Sequence, residues 1–484
     1  MTRASATNGD ARTGVAAAAA TTAATPAWGA DDLTVRFGSR TALDHVSLLA
    51  EAGAVTDVVG GDGAGKTTLL RALVGLVRPS AGAVRRPSTA ALGYLSSPVG
   101  VYQDLTVDEN LAFAAVAYGV RGSVFDARRE ALLREAGLDG APTRLAGRLS
   151  GGMRQKLAFA MAMTHTPRLL VLDEPTTGVD PVSRLEFWRL LTAAAGAGAA
   201  VVFSTTYLDE AARADAVLVL DGGRVTAAGS PADVVPDIPR PQPRRPHDPG
   251  AVAPVVETRA AVRRFGSLAA VDGVDLAVRP GEVVGLLGAN GAGKTTLIRM
   301  LLGLLRPTAG DVLLFGAPPS RASRRRIGYV PQGLGLWEDL TVTQNLDFTS
   351  EAFGVPRPAL DEDLAAVRGD LVRDLPLGLR RRLAFAAALA HAPEVLVLDE
   401  PTSGVGPAAR AGLWRTVHDA ADRGAAVLVT THFMEEADQC DRLAIMAEGR
   451  VVARGAPAEL MAGHATFEEA FARLVTVVEA EARP

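Results

Sequence analysis

The chain has 484 residues, 48% of them hydrophobic, and a formal net charge of −4. That length exceeds what one core ordinarily serves, so at least two domains are expected, and the near-balanced charge gives no electrostatic footprint for nucleic acid. The single cysteine, Cys440, excludes an intrachain disulfide and suits a reducing compartment, and no apolar run reaches the roughly 18 residues of a membrane span.

Residues 1–27 are rich in Ala, Thr and Gly. The weakly apolar stretch 15–20 runs into Thr21 and Thr22 and lacks the core of a secretion signal, so the segment reads as a disordered tail. Residues 28–230 then alternate β-branched apolar runs (Val55–Val59, Leu169–Leu172, 201–203) with helix-like stretches. Residues 231–254 hold eight prolines and read as an extended, semi-rigid linker. Residues 255–484 repeat the first pattern, with apolar runs at 283–287, 395–398 and 427–429. Strand-helix alternation of this kind predicts an α/β fold with a largely parallel sheet in each half.

The halves are a repeat. Gly60, Gly61, Asp62, Gly63, Ala64, Gly65, Lys66, Thr67 and Thr68 return as Gly288, Ala289, Asn290, Gly291, Ala292, Gly293, Lys294, Thr295 and Thr296, with the lysines 294 − 66 = 228 apart. Leu-Asp-Glu-Pro-Thr recurs with its aspartates 399 − 173 = 226 apart. Lys66 and Lys294 are two of only three lysines among 50 basic residues, the rest being arginine.

Each copy matches G-x-x-x-x-G-K-[ST] between an apolar strand and a helix-like run. Glycines let the backbone wrap a phosphate so that successive N–H groups point inward, and the following helix presents its positive end. A lysine reaches the outer phosphates as a compact charge that a planar guanidinium does not replace. Thr67 and Thr295 can place a hydroxyl on Mg²⁺, and Asp173 and Asp399 would hold the same ion through water. Glu174 and Glu400 would polarise an attacking water or accept its proton.

Upstream of the first Asp-Glu pair, Leu149, Ser150, Gly151, Gly152, Met153, Arg154 and Gln155 resemble the signature of ABC-type ATPases. The resemblance covers nearly the whole chain from Trp28, once per half. It implies two tandem P-loop nucleotide-binding domains, each with a helical signature subdomain, packed head to tail as an intramolecular sandwich. Each ATP, with Mg²⁺, would lie between the phosphate loop of one domain and the signature of the other.

Finer features, namely Gly328-Tyr329-Val330-Pro331-Gln332, the segment 339–346, Tyr207 to Ala211 and Phe467 to Phe471, resemble the ATP-binding subunits of drug- and small-molecule-exporting systems. Such subunits hydrolyse ATP to ADP and phosphate, sit on the cytoplasmic face of the cell membrane and drive a separately encoded permease. The permease docks near Gln332 and residues 339–345. The tandem ATPase of a sugar importer is an alternative. The tandem ATPases that act on ribosomes are another, though they carry a long charged helical linker and keep both sites intact.

The same resemblance makes the halves unequal. Gln332, which the resemblance also makes a candidate Mg²⁺ ligand, and His432 stand at the Q-loop and switch positions of the second half, where the first has Ser97 and Thr206. The first half keeps Ser150, Gly151, Gly152 and the D-loop Asp180, where the second has Pro376, Leu377, Gly378 and Gly406. One composite site thus joins Lys294, Thr295, Gln332, Asp399, Glu400 and His432 to Ser150, Gly151, Gly152 and Asp180. The other joins Lys66, Thr67, Ser97, Asp173, Glu174 and Thr206 to Pro376, Leu377 and Gly406, and is expected to hold ATP while turning it over slowly or not at all. Pro376 has no N–H to offer, and Asp62 adds a negative charge near the phosphates.

Phe37 and Phe265 each precede a loop by 60 − 37 = 288 − 265 = 23 residues and are expected to stack on adenine. Trp188 and Trp414 read as core or interface, and Cys440 as an inert buried thiol. His45, His165, His247, His391, His418 and His464 show no metal-ligand spacing.

Overall fold

The computed structural model describes residues 27–38, 40–97, 100–177, 179, 181–238, 241–244, 250, 252–289, 291–431, 433–464, 467, 469–471, 473 and 474. The tail expected over 1–27 lies outside them except for Ala27, which opens a strand. Asp180, Asn290 and His432 also lie outside.

Each half builds one six-stranded sheet. In the first its order is Leu92–Leu95, Leu169–Leu172, Ala200–Thr205, Val55–Val59, Ala216–Asp221, Arg224–Gly229. All neighbours are parallel except the last pair. The central strands are buried along their whole length, Leu169–Leu172 as an unbroken apolar run, because both faces are covered, the condition under which parallel sheets form. The second half repeats the order with Ile327–Val330, Val395–Asp399, Ala426–Thr431, Val283–Gly288, Arg442–Ala447 and Arg450–Gly455. A three-stranded antiparallel sheet completes each half, Ala27–Phe37 pairing with Arg40–Glu51 and Ala81–Arg85 in the first. This topology places both phosphate loops at the carboxyl end of a central strand, with one strand, Ala200–Thr205 or Ala426–Thr431, between it and the Asp-Glu strand.

The signature subdomains are helical. In the first, Val107–Ala117, Gly122–Glu135 and Gly151–Met163 bury Leu111, Leu132, Leu133 and Leu157 in the same core as Leu170 and Leu172. In the second, Val342–Phe353, Glu362–Ala366 and Leu377–Leu389 enclose Leu346, Leu364 and Leu383. Capping boxes at Thr106/Glu109 and Thr341/Gln344 fix where the leading helices start.

The extended linker expected from residue 231 begins further along. Pro231–Val234 is helical, with proline at a first-turn position where its missing N–H costs nothing, and Val234, Val235 and Ile238 are buried in the first core. Residues 241–244 run along the second half, where Arg244 Nε donates to Asp441 Oδ2 at 3.0 Å and Gln439 donates to the Pro241 carbonyl. Trp188, Trp414 and Cys440 are buried, as are Phe467 and Phe471, which close the second core.

Candidate nucleotide-binding site

Both phosphate loops are built alike. Gly63 and Gly65, with φ of 81° and 107°, and Gly291 and Gly293, with 87° and 102°, take left-handed turns that a side chain resists. A Cβ on Gly60 would also lie 2.5 Å from the Leu220 carbonyl oxygen. The helices Lys66–Val74 and Lys294–Leu301 start without a side-chain cap, which leaves their first N–H groups for a ligand. Lys66 Nζ donates to the Gly60 and Gly61 carbonyls at 2.7 and 3.1 Å, and Lys294 Nζ to those of Gly288 and Ala289 at 2.6 and 3.1 Å. Each lysine therefore curls back over its own loop.

Beside each lysine stands a hydroxyl-carboxylate pair. Thr67 Oγ1 donates to Asp173 Oδ1 at 3.1 Å, and Thr295 Oγ1 to Asp399 Oδ2 at 3.3 Å. Hydroxyl and carboxylate oxygens are the hard donors that Mg²⁺ prefers. Asp173 Oδ2 is moreover buried without a hydrogen-bond partner among the described residues, an acceptor ready for an ion or its water. Burial raises the Asp173 pKa, and hydrogen bonds from Ser204 and Thr67 oppose the rise. Thr67, Asp173, Thr295 and Asp399 thus fit that metal.

The next residue in each half departs from strand geometry. Glu174 and Glu400 have φ of 48° and 51°, and their N–H groups turn to Ser204 Oγ and Thr430 Oγ1 at 3.0 and 2.9 Å. Strain of this kind at paired positions is characteristic of functional sites. The two carboxylates then go different ways. Glu174 Oε1 lies 3.0 Å from Lys66 Nζ, closing over the lysine. Glu400 Oε2 instead accepts from Gln332 Nε2 at 3.2 Å. Burial lowers the Lys294 pKa, and Glu400 and Asp399 counter it. Ser97, at the place of Gln332, lines the first cavity but makes no comparable bond among those described.

The second half supplies the far wall of the first loop. Asp62 N donates to the Gly404 carbonyl at 3.3 Å, and a Cβ on Gly406 would lie 2.8 Å from Gly61 Cα. A cavity on this boundary is lined by Gly60, Gly61 and Asp62 on one side and by Pro376, Gly378, Gly404 and Gly406 on the other. The structure therefore brings together the first loop, the residues at the second signature position and those at the second D-loop position. Further along the boundary, Arg410 donates to the Thr206 carbonyl at 3.0 Å. Asp180 and Asn290, expected at the reciprocal place, lie outside the described residues.

Ser150 caps the helix Gly151–Met163, its Oγ accepting from Met153 N at 3.2 Å. A Cβ on Gly152 would meet Ser183 Oγ at 2.7 Å, so that position packs as glycine only. Pro376 offers no such cap to Leu377–Leu389.

A cavity of about 620 Å³, the size of a nucleotide pocket, surrounds Lys66. Arg40, Thr41 and Ala42 line it beside Thr67, Thr68 and Glu174. Phe37, expected to stack there, stands at the end of its strand, 54% exposed and outside that lining. Phe265 is 47% exposed and already carries the Arg263 guanidinium 4.7 Å above its ring.

Sequence reading missed two kinds of residue. Arg381 belongs to none of the motifs read from the sequence, yet it is 4% exposed and grips the turn after Glu400. Asp57 lies inside the strand before the first loop, where the second has Gly285. It is fully buried, and neither carboxyl oxygen has a hydrogen-bond partner among the described residues. Burial, reinforced by Glu210, pushes its pKa well up. Only alignment of the two halves, residue against residue, could have flagged either position.

The sequence profile of the ABC transporter family matches residues 43–177 and 271–403. The chain is 35% identical over 539 residues to the "Probable multidrug ABC transporter ATP-binding protein YbhF" of Escherichia coli strain K12, covering 88% of this chain and 93% of that one. It is 45% identical over 224 residues to the Nod factor export ATP-binding protein I of Burkholderia orbicola, covering 44% of this chain and 73% of that one. Among solved structures it is similar to one titled "RNase-L Inhibitor", with a TM-score of 0.67 and 20% identity over 89% of this chain and 91% of that one. At that identity the likeness is one of fold.

Proposed function

Because the chain belongs to the ABC transporter family, as an ATP-binding protein with two ABC domains in tandem, we propose that it is the ATP-hydrolysing, energy-coupling subunit of an exporter of drugs or other small molecules. It would work at the cytoplasmic face of the membrane on a permease carried by another chain. Among the described residues no helix is long and apolar enough to cross a membrane. Both relatives named above are called exporter or multidrug ATP-binding proteins, and this supports the direction of transport. A sugar importer remains the second reading, without an observation of its own; the fold alone links the chain to the ribosome-acting class.

The observation that carries the proposal is the contact of Asp62 and Gly61 with Gly404 and Gly406, which puts one domain's phosphate loop against the other's signature and D-loop positions. A nucleotide held there touches both domains, so binding and hydrolysis can close and open the boundary. In this reading Lys294 and the glycine-loop N–H groups hold the ATP phosphates, and Gln332 and His432 orient the attacking water. Glu400 accepts the proton of that water as it attacks the γ-phosphate, giving ADP and phosphate. Mg²⁺ at Thr295 and Asp399 would neutralise charge on the outer phosphates. At Lys66 the Q-loop amide and the signature serine are replaced, and Glu174 is drawn onto the lysine, so that site binds more than it turns over.

The permease surface has a physical counterpart. Trp337 and Phe348 are 57% and 53% exposed and meet edge to face at 5.8 Å. Tyr102 and Phe113 form the matching pair in the first domain, each 49% exposed at 4.6 Å. Buried Asn110 and Asn345 hold the loops that carry Tyr102 and Trp337, Asn345 Nδ2 donating to the Trp337 carbonyl at 3.0 Å. Paired aromatics left in water at equivalent places suit a membrane partner's cytoplasmic helices.

The test is affinity purification of the tagged chain from its native membranes, with ATPase assays of what it carries. Recovery of a multi-helix membrane protein that stimulates ATP turnover is expected. Co-sedimentation with ribosomes, and no membrane partner, would overturn the proposal.

A further inference from the structure

The second signature helix differs from the first at more than its opening residues. Arg381 stands where the first domain has Gln155 (381 − 155 = 226), and Asp62 stands where the second loop has Asn290 (290 − 62 = 228). Both replacements bring a charge, of opposite sign, and both fall on the same domain boundary.

Arg381 is almost fully buried, and its guanidinium faces main chain. Nη1 donates to the carbonyls of Glu400 at 3.0 Å and Pro401 at 2.7 Å, and Nη2 donates to that of Ser403. The next residue, Gly404, takes the Asp62 N–H from across the boundary. A Cβ on Gly404 would lie 2.7 Å from Asp62 Oδ2 and 2.9 Å from Leu377 Cδ2, so the carboxylate and the leucine close on that turn together. A planar fork suits this task, because three carbonyls are held at once and one residue's backbone is fixed against rotation. A buried guanidinium also needs a nearby anion. Asp62, Glu400 and Glu436 are the negative charges that support it.

We propose that Arg381 is a positioning residue for Glu400, and that Asp62 of the opposite domain sets it. The first loop, which turns over little ATP itself, is thereby wired to the backbone of the glutamate that does. At the other boundary the corresponding residues, Asn290 and Gln155, are both neutral in the sequence, so the link runs in one direction. This rests on the reading of Glu400 as the working carboxylate.

The test is a double-mutant cycle in the full-length chain, with Asp62→Asn, Arg381→Gln and the pair together, reading kcat and KM for ATP. Each single variant leaves a charge uncompensated, whereas the pair restores the neutral combination of the other boundary. Each single change is expected to lower kcat roughly fivefold with KM little altered, and the pair to lose at least about fivefold less than the product of the two. Arg381→Lys, which keeps the charge but not the fork, should stay as slow as Arg381→Gln. Melting temperatures identify a variant that merely fails to fold, and Asp62→Asn, in the loop itself, gives a second entry to the cycle. Multiplicative losses, or a change in KM alone, would overturn the proposal. Glu400→Gln measured alongside separates the two readings: if it silences turnover while the cycle shows no coupling, the asymmetric sites stand and this link does not.

Discussion

Tyr207 and Phe433 lie ring against ring across the domain boundary, centroids 4.8 Å apart and tilted by 33°. Each follows its domain's switch position, and each carries an arginine on its ring, Arg184 at 3.8 Å and Arg410 at 4.2 Å. The boundary thus carries a dyad of tilted rings, each covered by a buried cation.

Arg410 should be the strongest single support of that boundary. It is 1% exposed, donates to the Thr206 and Val405 carbonyls, and faces Glu435 and the fully buried Glu436. Arg410→Met strands a buried carboxylate and is expected to cost about 3–5 kcal/mol. In calorimetry the two domains should then melt in separate transitions. A single unchanged transition would show that the boundary does not depend on this residue.

The ion pair of Lys66 with Glu174, both side chains largely buried, must open before phosphate can take the lysine. Glu174→Gln removes that competitor and is expected to tighten ATP at the first loop by roughly three- to tenfold, about 1 kcal/mol of a partly screened pair. Titration of a fluorescent ATP analogue into Glu174→Gln, with Lys294→Ala added to silence the second loop, measures this. Weaker binding would contradict the closed-lysine reading.

Asp57 is a stability defect in the strand that leads to the first loop. Asp57→Ala removes a buried carboxyl that lacks a partner, and is expected to stabilise the fold by about 1–3 kcal/mol near pH 8. The sign of the pH dependence follows from the raised pKa. The folded state keeps the proton to higher pH than the unfolded chain does, so this group's contribution falls as pH climbs above the ordinary carboxylate range. Glu210, raised to about 7 chiefly by burial, acts in the same direction. The gain from Asp57→Ala should therefore shrink at pH 5. Chemical denaturation at both pH values tests it, and an equal or larger gain at pH 5 would contradict the assignment.

Much of this was legible in the sequence because the repeat is close. The β-branched runs became strands where expected, and Lys66, Thr67, Asp173 and Glu174 meet because one topology carries both glycine loop and Asp-Glu strand. The start of the linker was misread because proline content was taken as extension, although proline at a helix start is compatible with the helix. Phe37 stands at a strand end outside the cavity lining, because a fixed spacing does not set where such a ring points. Arg381 and Asp57 were hidden for a different reason. Sequence pattern assigns charge to the surface, and only packing reveals that these two charges face inward.

If Trp337, Phe348, Tyr102 and Phe113 receive the permease, Trp337→Ala and Phe113→Ala should each lower the ratio of permease-stimulated to basal ATP turnover. Removing a buried interface aromatic ordinarily costs about 2 kcal/mol or more of binding. Reconstitution in vesicles with the co-purified membrane partner gives that ratio. Unchanged stimulation would move the docking surface elsewhere.

The central claim is that Lys294 serves the site that turns over ATP while Lys66 serves one that mainly holds it. Steady-state ATP hydrolysis by full-length Glu400→Gln and Glu174→Gln, side by side with the parent chain, tests it most directly. Losing the general base should cost Glu400→Gln about 10²-fold or more in kcat, whereas Glu174→Gln should keep most of the parent rate. Equal losses in the two variants would contradict the account.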